Sequence, residues 1–448
     1  MARRFVISNI LGLQVFQVLR FVSFLIISVI FTRIDLTKKD IGDFELLLFL
    51  ASTVTFFWIT GIIQSLLPLF NNNQSFKLRN GKVFQKSPEL FNTFLLILFI
   101  SLLLFAAGWL FKDGIKVYKT GQALPYADGL LWYILLSSPA CLIEYIYLLY
   151  NKPKHILAYG LISFTLQTLF VIIPVKLGWG IEGGIWGLVI ISGIRFLWLL
   201  RLIQKYAIIK VSLSFMKEHL YLALPLIISS LLSGSAQYID GLIVSAQFSP
   251  EKFAIFRYGA KEMPLVVTLA SGLNNAMLTQ FSSMSKMKFG LLTLKKRSLR
   301  LMHILFPISI LLLFFSDLIY PILFTKNFYQ SSDVFMVYVL LITSRLVFPQ
   351  TILIGLKKNK VVMWTAVFNI IINVGLTFLM IPRYGIVGVA VATVIVYVIE
   401  KIILMSYNYF KLGINPNEYI PVGWYLFYSA LITVIFVLID HRIIMLRL

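Results

Sequence analysis

Residues 91–111 read FNTFLLILFISLLLFAAGWLF, an uninterrupted run of 21 residues without a charged side chain. A helix needs roughly 20 mainly apolar residues to cross the hydrocarbon core of a bilayer, so this run is long enough to span one. Lipid offers the backbone no hydrogen-bond partner, and such a segment must therefore form a helix. The stretch predicts a transmembrane helix, and the pattern around it predicts the fold.

The same pattern recurs along the 448-residue chain, in which 59% of the residues are hydrophobic and 13% are charged. The mean hydropathy is +0.89. Twelve helix-length apolar runs follow one another with short polar breaks, at 9–32, 42–67, 91–111, 127–150, 155–176, 181–203, 219–246, 254–282, 299–324, 331–356, 361–381 and 386–410. A thirteenth run, 422–439, either crosses the membrane or lies at its interface. We predict an all-α integral membrane protein with almost no soluble domain.

The polar breaks exclude several classes of protein. None is long enough to hold a nucleotide-binding domain, and the sequence contains no Walker loop. The net charge of +22 would suggest nucleic acid for a soluble protein, but in a membrane protein Lys and Arg collect in loops beside anionic head groups. We therefore expect membrane lipids, and no nucleic acid, as partners. The single cysteine, Cys141, cannot form an intrachain disulfide.

The distribution of basic residues orients the chain. They are concentrated in alternate breaks, at 3–4, 77–86, 152–154, 205–217, 286–300 and 357–360. Because loops rich in Lys and Arg stay in the cytoplasm, the N-terminus is predicted to be cytoplasmic. The first run carries polar residues and has no small-residue cleavage pattern after it. We therefore expect a retained helix rather than a cleaved signal peptide.

The second half of the chain repeats the first. Residues 39–44 (KDIGDF) correspond to 252–256 (KFAIF), and residues 179–183 (WGIEG) correspond to 384–388 (YGIVG) at nearly the same offset. Two lobes of six helices share one topology, so their pseudo-twofold axis should run along the membrane normal, with a cavity at the lobe interface. The predicted parts are an N-terminal lobe, a cytoplasmic basic linker, a C-terminal lobe and a tail, at 1–203, 204–218, 219–410 and 411–448.

Three parts of the sequence resemble a known family. They read FTRID at 31–35 followed by DIGDF at 40–44, then KEMPL at 261–265, and then IPRYGIVGVA at 381–390. Together they are similar to polysaccharide-biosynthesis flippases of the Wzx type, which belong to the MOP superfamily with the lipid II flippase MurJ and the MATE drug exporters. The resemblance covers essentially the whole chain. It implies a MATE/MurJ-like, V-shaped transporter with two lobes and alternating access.

The resemblance also implies a function and a location. Such a flippase moves undecaprenyl-diphosphate-linked oligosaccharide from the inner to the outer leaflet of a bacterial cytoplasmic membrane, for O-antigen or another cell-surface polysaccharide. Its partners would be that lipid-linked glycan and the polysaccharide polymerase machinery. The MurJ pattern carries more spans than the chain supplies, which argues against lipid II as the substrate. We expect a transporter rather than an enzyme, with no cofactor beyond a coupling ion, H⁺ or Na⁺.

Charged residues inside the predicted spans are candidates for the substrate site, since a charge at the bilayer centre costs from about 2.5 to over 10 kcal/mol. Arginine stays charged and binds phosphate through a planar fork, so cations that face the cavity would suit a diphosphate. The predicted substrate contacts are the cations Arg20, Arg257, Lys261 and Arg345, together with Glu45, which occupies the place of Arg257 in the first lobe and would be a cavity residue of opposite sign. Arg257 and Lys261, four residues apart, would share one helix face. Arg257 could instead pair with Asp240.

Two carboxylates are candidates for ion or proton coupling. The protonation of a carboxylate inside a span can be coupled to a change of conformation. Glu144 is the first candidate, and Asp240, which would also suit an outer gate, is the second. The alternative for Glu144 is a carboxylate that is hydrogen-bonded to neighbouring helices.

Two other functions compete with the flippase. A MATE-like ion-coupled antiporter of small solutes resembles the same fold, but such exporters place an acid in the first helix, where this chain has Arg20 and no acid before Asp35. A membrane-embedded glycosyltransferase or polymerase would need a sizeable outer loop for its catalytic residues. The longest outer break, 112–127, is short, and the four histidines are scattered. We therefore favour an anionic, lipid-linked substrate.

Overall fold

The computed structural model describes residues 9–70, 76–79, 82–234, 236–262, 264–278, 281, 287–356 and 358–440. The chain divides into two compact units. The first is Met1–Gly234 with Ser249–Glu251, and the second is Ser235–Phe248 with Lys252–Leu448. Both are built almost entirely from helices, as the recurring apolar runs predict.

The helices of the first unit follow the predicted runs closely. They are α1 (Asn9–Phe31), α2 (Lys38–Leu69), α3 (Pro88–Phe111), α4 (Ala127–Ala140), α5 (Leu142–Leu149), α6 (Pro153–Pro174), α7 (Gly180–Tyr206) and α8 (Leu213–Gly234). Two short antiparallel hairpins pair β1 (Phe76–Arg79) with β2 (Lys82–Gln85) and β3 (Lys116–Val117) with β4 (Gln122–Ala123). Helix α2 begins at a capping box, in which Asp40 N–H donates to Thr37 Oγ1 over 3.1 Å and Thr37 N–H donates to Asp40 Oδ2 over 3.0 Å.

The helices of the second unit are more often interrupted. They are α9 (Ala236–Gln247), α10 (Pro250–Gly259), α11 (Pro264–Leu278), α12 (Met287–Phe324), α13 (Gln330–Val339), α14 (Ile342–Arg345), α15 (Pro349–Gly355), α16 (Asn359–Leu412), α17 (Pro416–Tyr419) and α18 (Val422–Asp440).

Two helical runs of 54 residues, Pro153–Tyr206 and Asn359–Leu412, each hold two of the predicted spans. Each run breaks at a glycine with positive φ, Gly178 at 86° and Gly385 at 58°, a conformation that residues with a Cβ rarely adopt. The two halves of each run pack against each other. The chain therefore turns back at both glycines, where the sequence predicts a break.

The predicted number of twelve spans is not confirmed as a count. Within the described ranges, eight helical runs are long and apolar enough to cross a membrane, or nine if one bent pair counts as a span. That count treats each 54-residue run as one helix, although each contains the turn described above. The thirteenth apolar run is helix α18, which satisfies the same length and hydropathy test.

Among the described residues, interruptions fall within three of the predicted spans. Helices α4 and α5 meet at Cys141. Helix α10 ends at Gly259 and α11 begins at Pro264, so the prediction of one continuous helix there is wrong. The third interruption is a bend of 48° before Pro349. Proline has no backbone N–H to donate and is favoured at the first position of a helix, which explains why new helices start at Pro264 and Pro349.

Helix α8 groups with the first unit, although the sequence assigns it to the C-terminal lobe. It packs along α2, where Gly61 lies so close to Ile227 that an added Cβ would be 2.7 Å from the Ile227 backbone nitrogen. The absence of a side chain at Gly61 permits this close approach of two helices. Helix α8 therefore packs with α2 of the first unit. The lobe boundaries stay a prediction.

Each unit has its own apolar core. In the first unit, Phe16, Trp58, Phe94, Ile143 and Leu199 are buried in one cluster that joins α1, α2, α3, α5 and α7. In the second unit a separate cluster holds residues from α11 to α18, including Phe281, Phe306, Phe348, Ile352 and Ile432. Apolar side chains also cover the outside of many helices, as expected for surfaces in contact with lipid.

Candidate functional site

Arg20 lies on the packed face of α1 and is nevertheless exposed. Phe16, Ser23 and Ile27 are at helical spacings of four, three and seven residues from it, so they share its face, and all three are buried. Leu13 and Phe24, which are also close to Arg20 on the helix surface, are half-buried, and Gln17 is exposed, so Arg20 lies at the edge of the packed face. Within the described part of the chain, Arg20 makes no hydrogen bond and no ion pair.

Arg195, on α7, is held by neutral oxygens of α6. Its Nε donates to Ser163 Oγ over 2.6 Å, and its Nη2 donates to the Ser163 carbonyl oxygen over 3.2 Å and to Gln167 Oε1 over 2.8 Å. The guanidinium also lies over the Phe164 ring, 5.2 Å from its centroid. The side chain is therefore fixed in one orientation, and its charge meets dipoles and an aromatic face.

A buried serine joins this arrangement to the first helix. Gln167 Nε2 donates to Ser23 Oγ over 3.4 Å, and Ser23 Oγ donates to the Phe164 carbonyl oxygen over 3.1 Å. Thr168 Oγ1 also lies 2.9 Å from Ser23 Oγ. Ser23 is three residues after Arg20, so these contacts connect Arg195 to the turn of α1 that carries Arg20.

Glu144 lies on α5, with 7% of its surface exposed. Arg20 and Arg195 are the two charged side chains that act electrostatically on its carboxylate. Helix α5 packs against both α6 and α7, which explains why a residue of α5 comes close to Arg195. We call Arg20, Arg195 and Glu144 the arginine cluster. The structure thus brings together a predicted substrate contact and a predicted coupling residue.

Glu45 lies elsewhere in the first unit. It is buried on α2 and accepts a hydrogen bond of 3.2 Å from Ser28 Oγ. Ser28 is eight residues after Arg20 on α1, which is about 12 Å along the helix at 1.5 Å per residue. The structure therefore separates Glu45 from the arginine cluster along the helix axis, although both were predicted as substrate contacts.

In the second unit, Asp240 is at the centre of a buried polar network. Its Oδ2 accepts hydrogen bonds from Tyr338 OH over 2.7 Å and from Thr393 Oγ1 over 2.6 Å, and its Oδ1 accepts one of 3.3 Å from Asn373 Nδ2. Asn373 Oδ1 in turn accepts a bond of 3.0 Å from Thr377. We call Asp240, Tyr338, Asn373 and Thr393 the Asp240 network. It joins α9, α13 and both halves of α16.

Arg345 forms an ion pair with a residue that the sequence did not single out. Its Nε and Nη2 donate to the two carboxylate oxygens of Glu262 over 3.0 and 2.5 Å. The guanidinium lies 4.6 Å from the centroid of the Tyr397 ring. Glu262 lies in the break between α10 and α11, so the pair connects that break to α14 and α16. In this arrangement the charge of Arg345 is neutralised within the protein.

The predicted helix face shared by Arg257 and Lys261 is wrong, because α10 ends at Gly259. Arg257 lies in the last turn of α10, whereas Lys261 lies beyond its end. The ammonium group of Lys261 is 5.0 Å from the centroid of the Tyr258 ring and 5.8 Å from that of Phe324. Their predicted role as substrate contacts stays a prediction.

Sequence reasoning missed the neutral partners of the charged residues. Polar side chains within apolar runs were the available signal, and Asn373 and Thr377 even lie at helical spacing. Which of them meet depends on how helices pack, so the sequence did not identify the groups that hold Arg195, Arg345 and Asp240. Among the described residues, no cluster of His, Cys, Asp and Glu has the composition of a metal site.

A family model described as "Polysaccharide biosynthesis protein" matches residues 30–333, which is more than half of the chain. The chain belongs to this family. The matched range includes Glu144, Arg195 and Asp240. Arg20 and Arg345 lie outside it. A search of curated protein sequences gave no match.

Three solved structures share the fold of this member of the polysaccharide biosynthesis family. The lipid II flippase MurJ in an inward closed conformation has a TM-score of 0.68 and 17% sequence identity, over 97% of this chain and 94% of its own. An inward-facing multidrug resistance MATE transporter of the MOP superfamily has a TM-score of 0.59 and 13% identity, over 91% and 98%. A MOP superfamily transporter from Pyrococcus furiosus has a TM-score of 0.53 and 13% identity, over 91% and 95%.

The family match and the shared fold confirm the resemblance to Wzx-type flippases and the all-α, MurJ/MATE-like fold. The chain is a multi-pass membrane protein of the polysaccharide biosynthesis family, and it shares its fold with the MurJ flippase and with MATE transporters. The identities, all below 20%, establish the fold and leave the substrate to be argued from this chain's own residues.

Proposed function

We propose that this protein is a flippase that moves undecaprenyl-diphosphate-linked oligosaccharide from the inner to the outer leaflet by alternating access. The proposal rests on Arg20, an exposed arginine at the edge of the packed face of a membrane helix, in a chain of the polysaccharide biosynthesis family. A charge within a membrane span has a high energetic cost, so a charged residue there is expected to have a function. The substrate class suits it, because a diphosphate is the anionic part of a lipid-linked glycan.

Arg20 would bind the diphosphate while the glycan passes through the protein and the lipid tail stays in the bilayer. A guanidinium can offer two parallel N–H donors to phosphate oxygens and keeps its charge at any physiological pH. Because Arg20 makes no hydrogen bond within the described residues, substrate need not displace a protein acceptor to reach it. Guanidinium N–H groups without a protein acceptor are more consistent with a residue that binds a dissociable ligand than with a residue that only stabilises the fold.

Arg257 and Lys261 remain proposed contacts of the same substrate, from the second unit. Arg345 and Glu45 are proposed to act indirectly, because Arg345 bonds to Glu262 and Glu45 accepts a bond from Ser28. To bind substrate, Arg345 would have to leave the carboxylate of Glu262, and Glu45 would lose the hydrogen bond from Ser28. These two residues would therefore shape the path rather than hold the phosphate.

We further propose that Asp240 couples transport to a proton or a sodium ion. It is 3% exposed and is surrounded by hydroxyl and amide groups from three elements of the second unit. Carboxylate and hydroxyl oxygens are ligands for small hard cations, and a proton on Asp240 would reverse the direction of one of its hydrogen bonds. Either change would alter how α9, α13 and α16 hold one another.

The same network suits a second candidate function, a MATE-like ion-coupled antiporter of small solutes. An ion-coupling carboxylate is expected in both kinds of transporter, so Asp240 does not decide between them. Arg20 favours the flippase, because an exposed cation in the first helix repels a cationic drug and attracts an anionic substrate. For the orientation, we propose a cytoplasmic N-terminus in a bacterial cytoplasmic membrane, with the polysaccharide polymerase machinery as the consumer of the flipped glycan.

Transport in liposomes tests this proposal. The purified protein is reconstituted with a fluorescent undecaprenyl-diphosphate oligosaccharide, and a membrane-impermeant quencher reports how much of the probe has reached the outer leaflet. We expect transport by the wild-type protein and by Arg201→Ala, a matched control on an exposed position of α7. Arg20→Ala should lose most of the activity. If the lipid-linked glycan does not move and an organic cation does, the antiporter replaces the flippase.

A further inference from the structure

We propose that Arg195 is a second anion-binding arginine of the first unit, that it acts together with Arg20, and that Glu144 is their counter-ion until substrate binds. The assignment rests on the proposed function, because the anion it names is the diphosphate of the lipid-linked glycan. Arg195 was not among the substrate contacts predicted from the sequence, and only its surroundings in the folded chain suggest the role.

The first argument is the number of hydrogen-bond donors that Arg195 has left. A guanidinium carries five N–H donors. The bonds to Ser163 and Gln167 use the Nε hydrogen and both hydrogens of Nη2. The two hydrogens of Nη1 have no acceptor among the residues that the structure describes. The contacts with α6 thus orient the group and leave one edge of it available.

The second argument is the charge around Arg195. An arginine that only ties helices together is expected to meet a carboxylate, as Arg345 meets Glu262. Along the described chain, no carboxylate oxygen lies within the 4.0 Å of an ion pair with Arg195. Its partners are an amide, a hydroxyl and a carbonyl oxygen, which orient a cation without neutralising it. A cation in a membrane protein that has no carboxylate in ion-pair contact invites an anionic ligand.

The third argument is that Arg20 and Arg195 act on the same small region. Both act electrostatically on the carboxylate of Glu144. The bridge from Gln167 to Ser23 fixes α6 and α7 against the turn of α1 that carries Arg20. Two neighbouring cations suit a diphosphate, which has two phosphate groups, better than they suit a monophosphate.

Glu144 completes the arrangement, because the arginine cluster has two positive charges and one negative charge. Its carboxylate attracts both arginines and therefore lowers the cost of keeping them in a membrane protein when no substrate is present. The same carboxylate competes with an entering diphosphate for the arginines. Removing its charge should therefore strengthen substrate binding, a result that a purely structural carboxylate would not give.

The test measures binding of a short-chain isoprenyl diphosphate, and of the corresponding monophosphate, to the full-length protein in detergent. Loss of one set of charge-assisted bonds should weaken diphosphate binding about tenfold in Arg195→Gln. Binding of the monophosphate should fall much less, because it can still be held by Arg20. Glu144→Gln should bind the diphosphate several-fold more tightly than wild type. Arg201→Gln, on the same helix, is the matched control and should bind like wild type.

Two further variants keep the test decisive if Arg195→Gln does not fold. Arg195→Lys retains the charge without the fork, and Gln167→Leu retains the whole guanidinium but removes one of its orienting acceptors. Both should fold and should weaken diphosphate binding by a smaller factor than Arg195→Gln. Equal affinities in wild type, Arg195→Lys, Gln167→Leu and Arg201→Gln would overturn the assignment.

The outcomes separate this assignment from the proposed function. If wild type binds and transports the lipid diphosphate, but changes at Arg195 and Glu144 leave binding unaltered, the flippase stands and the role of Arg195 is refuted. If wild type neither binds the diphosphate nor transports the lipid-linked glycan, both are refuted. A selective loss of diphosphate over monophosphate in Arg195→Gln, with a gain in Glu144→Gln, supports both.

Discussion

The arginines of the two units differ in what surrounds them. In the second unit, Arg345 donates to both oxygens of Glu262, and both side chains are about four-fifths buried, with exposures of 21% and 22%. In the first unit, Arg20 is exposed without a hydrogen bond to the described chain, and Arg195 is held by neutral groups only. All three looked alike in the sequence, as single arginines in apolar runs. The comparison shows that the partner, and not the depth, separates a structural charge from a candidate binding site.

The largest effect on stability should come from breaking the ion pair of the second unit. Glu262→Gln leaves the mostly buried Arg345 without its carboxylate, which should destabilise the protein by about 3 kcal/mol, as for other broken buried pairs. Thermal unfolding in detergent measures this. The double variant Glu262→Gln with Arg345→Met removes both charges and should recover much of the loss. An unchanged unfolding temperature in the single variant would show that the pair is not structural.

The reverse pattern is expected for the first unit. Arg20→Ala removes no hydrogen bond of the described chain, so its stability should stay within about 0.5 kcal/mol of wild type, as for substitutions away from structural contacts. Transport of the lipid-linked glycan should nevertheless fall about a hundredfold, since charged hydrogen bonds contribute about 1.5–3 kcal/mol each. Transport assays and unfolding curves on the same preparation compare the two effects. Arg20→Lys should keep part of the activity, and a large loss of stability in Arg20→Ala would make Arg20 structural.

Helix packing in the two units can be compared through glycines. At Gly187, on α7, a Cβ would collide with the Phe170 carbonyl of α6, whereas a Cβ at Gly375, on α16, meets nothing within 4 Å. Gly187→Ala should therefore cost about 1–3 kcal/mol, as overpacking usually does. Gly375→Ala should be neutral or stabilising, by up to about 1 kcal/mol, since alanine is the better helix former. Unfolding curves of Gly187→Ala and Gly375→Ala test this difference. Equal stabilities of the two variants would contradict the close approach of α6 and α7.

The smallest effect concerns the Asp240 network. Tyr338→Phe removes one of the hydrogen bonds to Asp240 and leaves those from Thr393 and Asn373 in place. A bond of this kind to a charged group contributes about 1.5–3 kcal/mol at most, and the remaining donors should limit the loss to about 1 kcal/mol. The unfolding temperature measures that loss. The dependence of transport on the proton or sodium gradient should survive in Tyr338→Phe and disappear in Asp240→Asn, and a gradient dependence that persists in Asp240→Asn would contradict ion coupling there.

Much of the fold was predictable because it follows from local composition. The breaks at Gly178 and Gly385 lie between predicted spans, since glycine at a turn between two apolar runs is a local signal. The break at Ala260–Glu262 was missed, because the apolar run continues on both sides of the two charged residues in it, Lys261 and Glu262. The position of α8 beside α2 was missed as well, since it depends on the fit of Gly61 against Ile227.

The candidate site was predictable only in part. Arg20, Glu144 and Asp240 stood out because a charge in an apolar run is unusual wherever it occurs. Their neighbours did not stand out, because Ser23, Gln167 and Tyr338 are ordinary in sequence and acquire a role only when helices distant along the chain come together. Residue spacing even misled at Lys261, which lies beyond the end of the helix that carries Arg257.

By itself, the sequence determined that this chain is a bundle of apolar helices with a few charges inside them, and that it is related to polysaccharide flippases. The helices and the scarcity of charges inside them follow from the cost of exposing backbone and charge to lipid, which acts on each segment separately, whereas the relation rests on the resemblance of the motifs at 31–44, 261–265 and 381–390. The tertiary structure decided which charges are neutralised and which stay available. Glu262 reaches Arg345, while Gln167 and Ser163 orient Arg195 without neutralising it, because partners from different helices meet only when the helices pack.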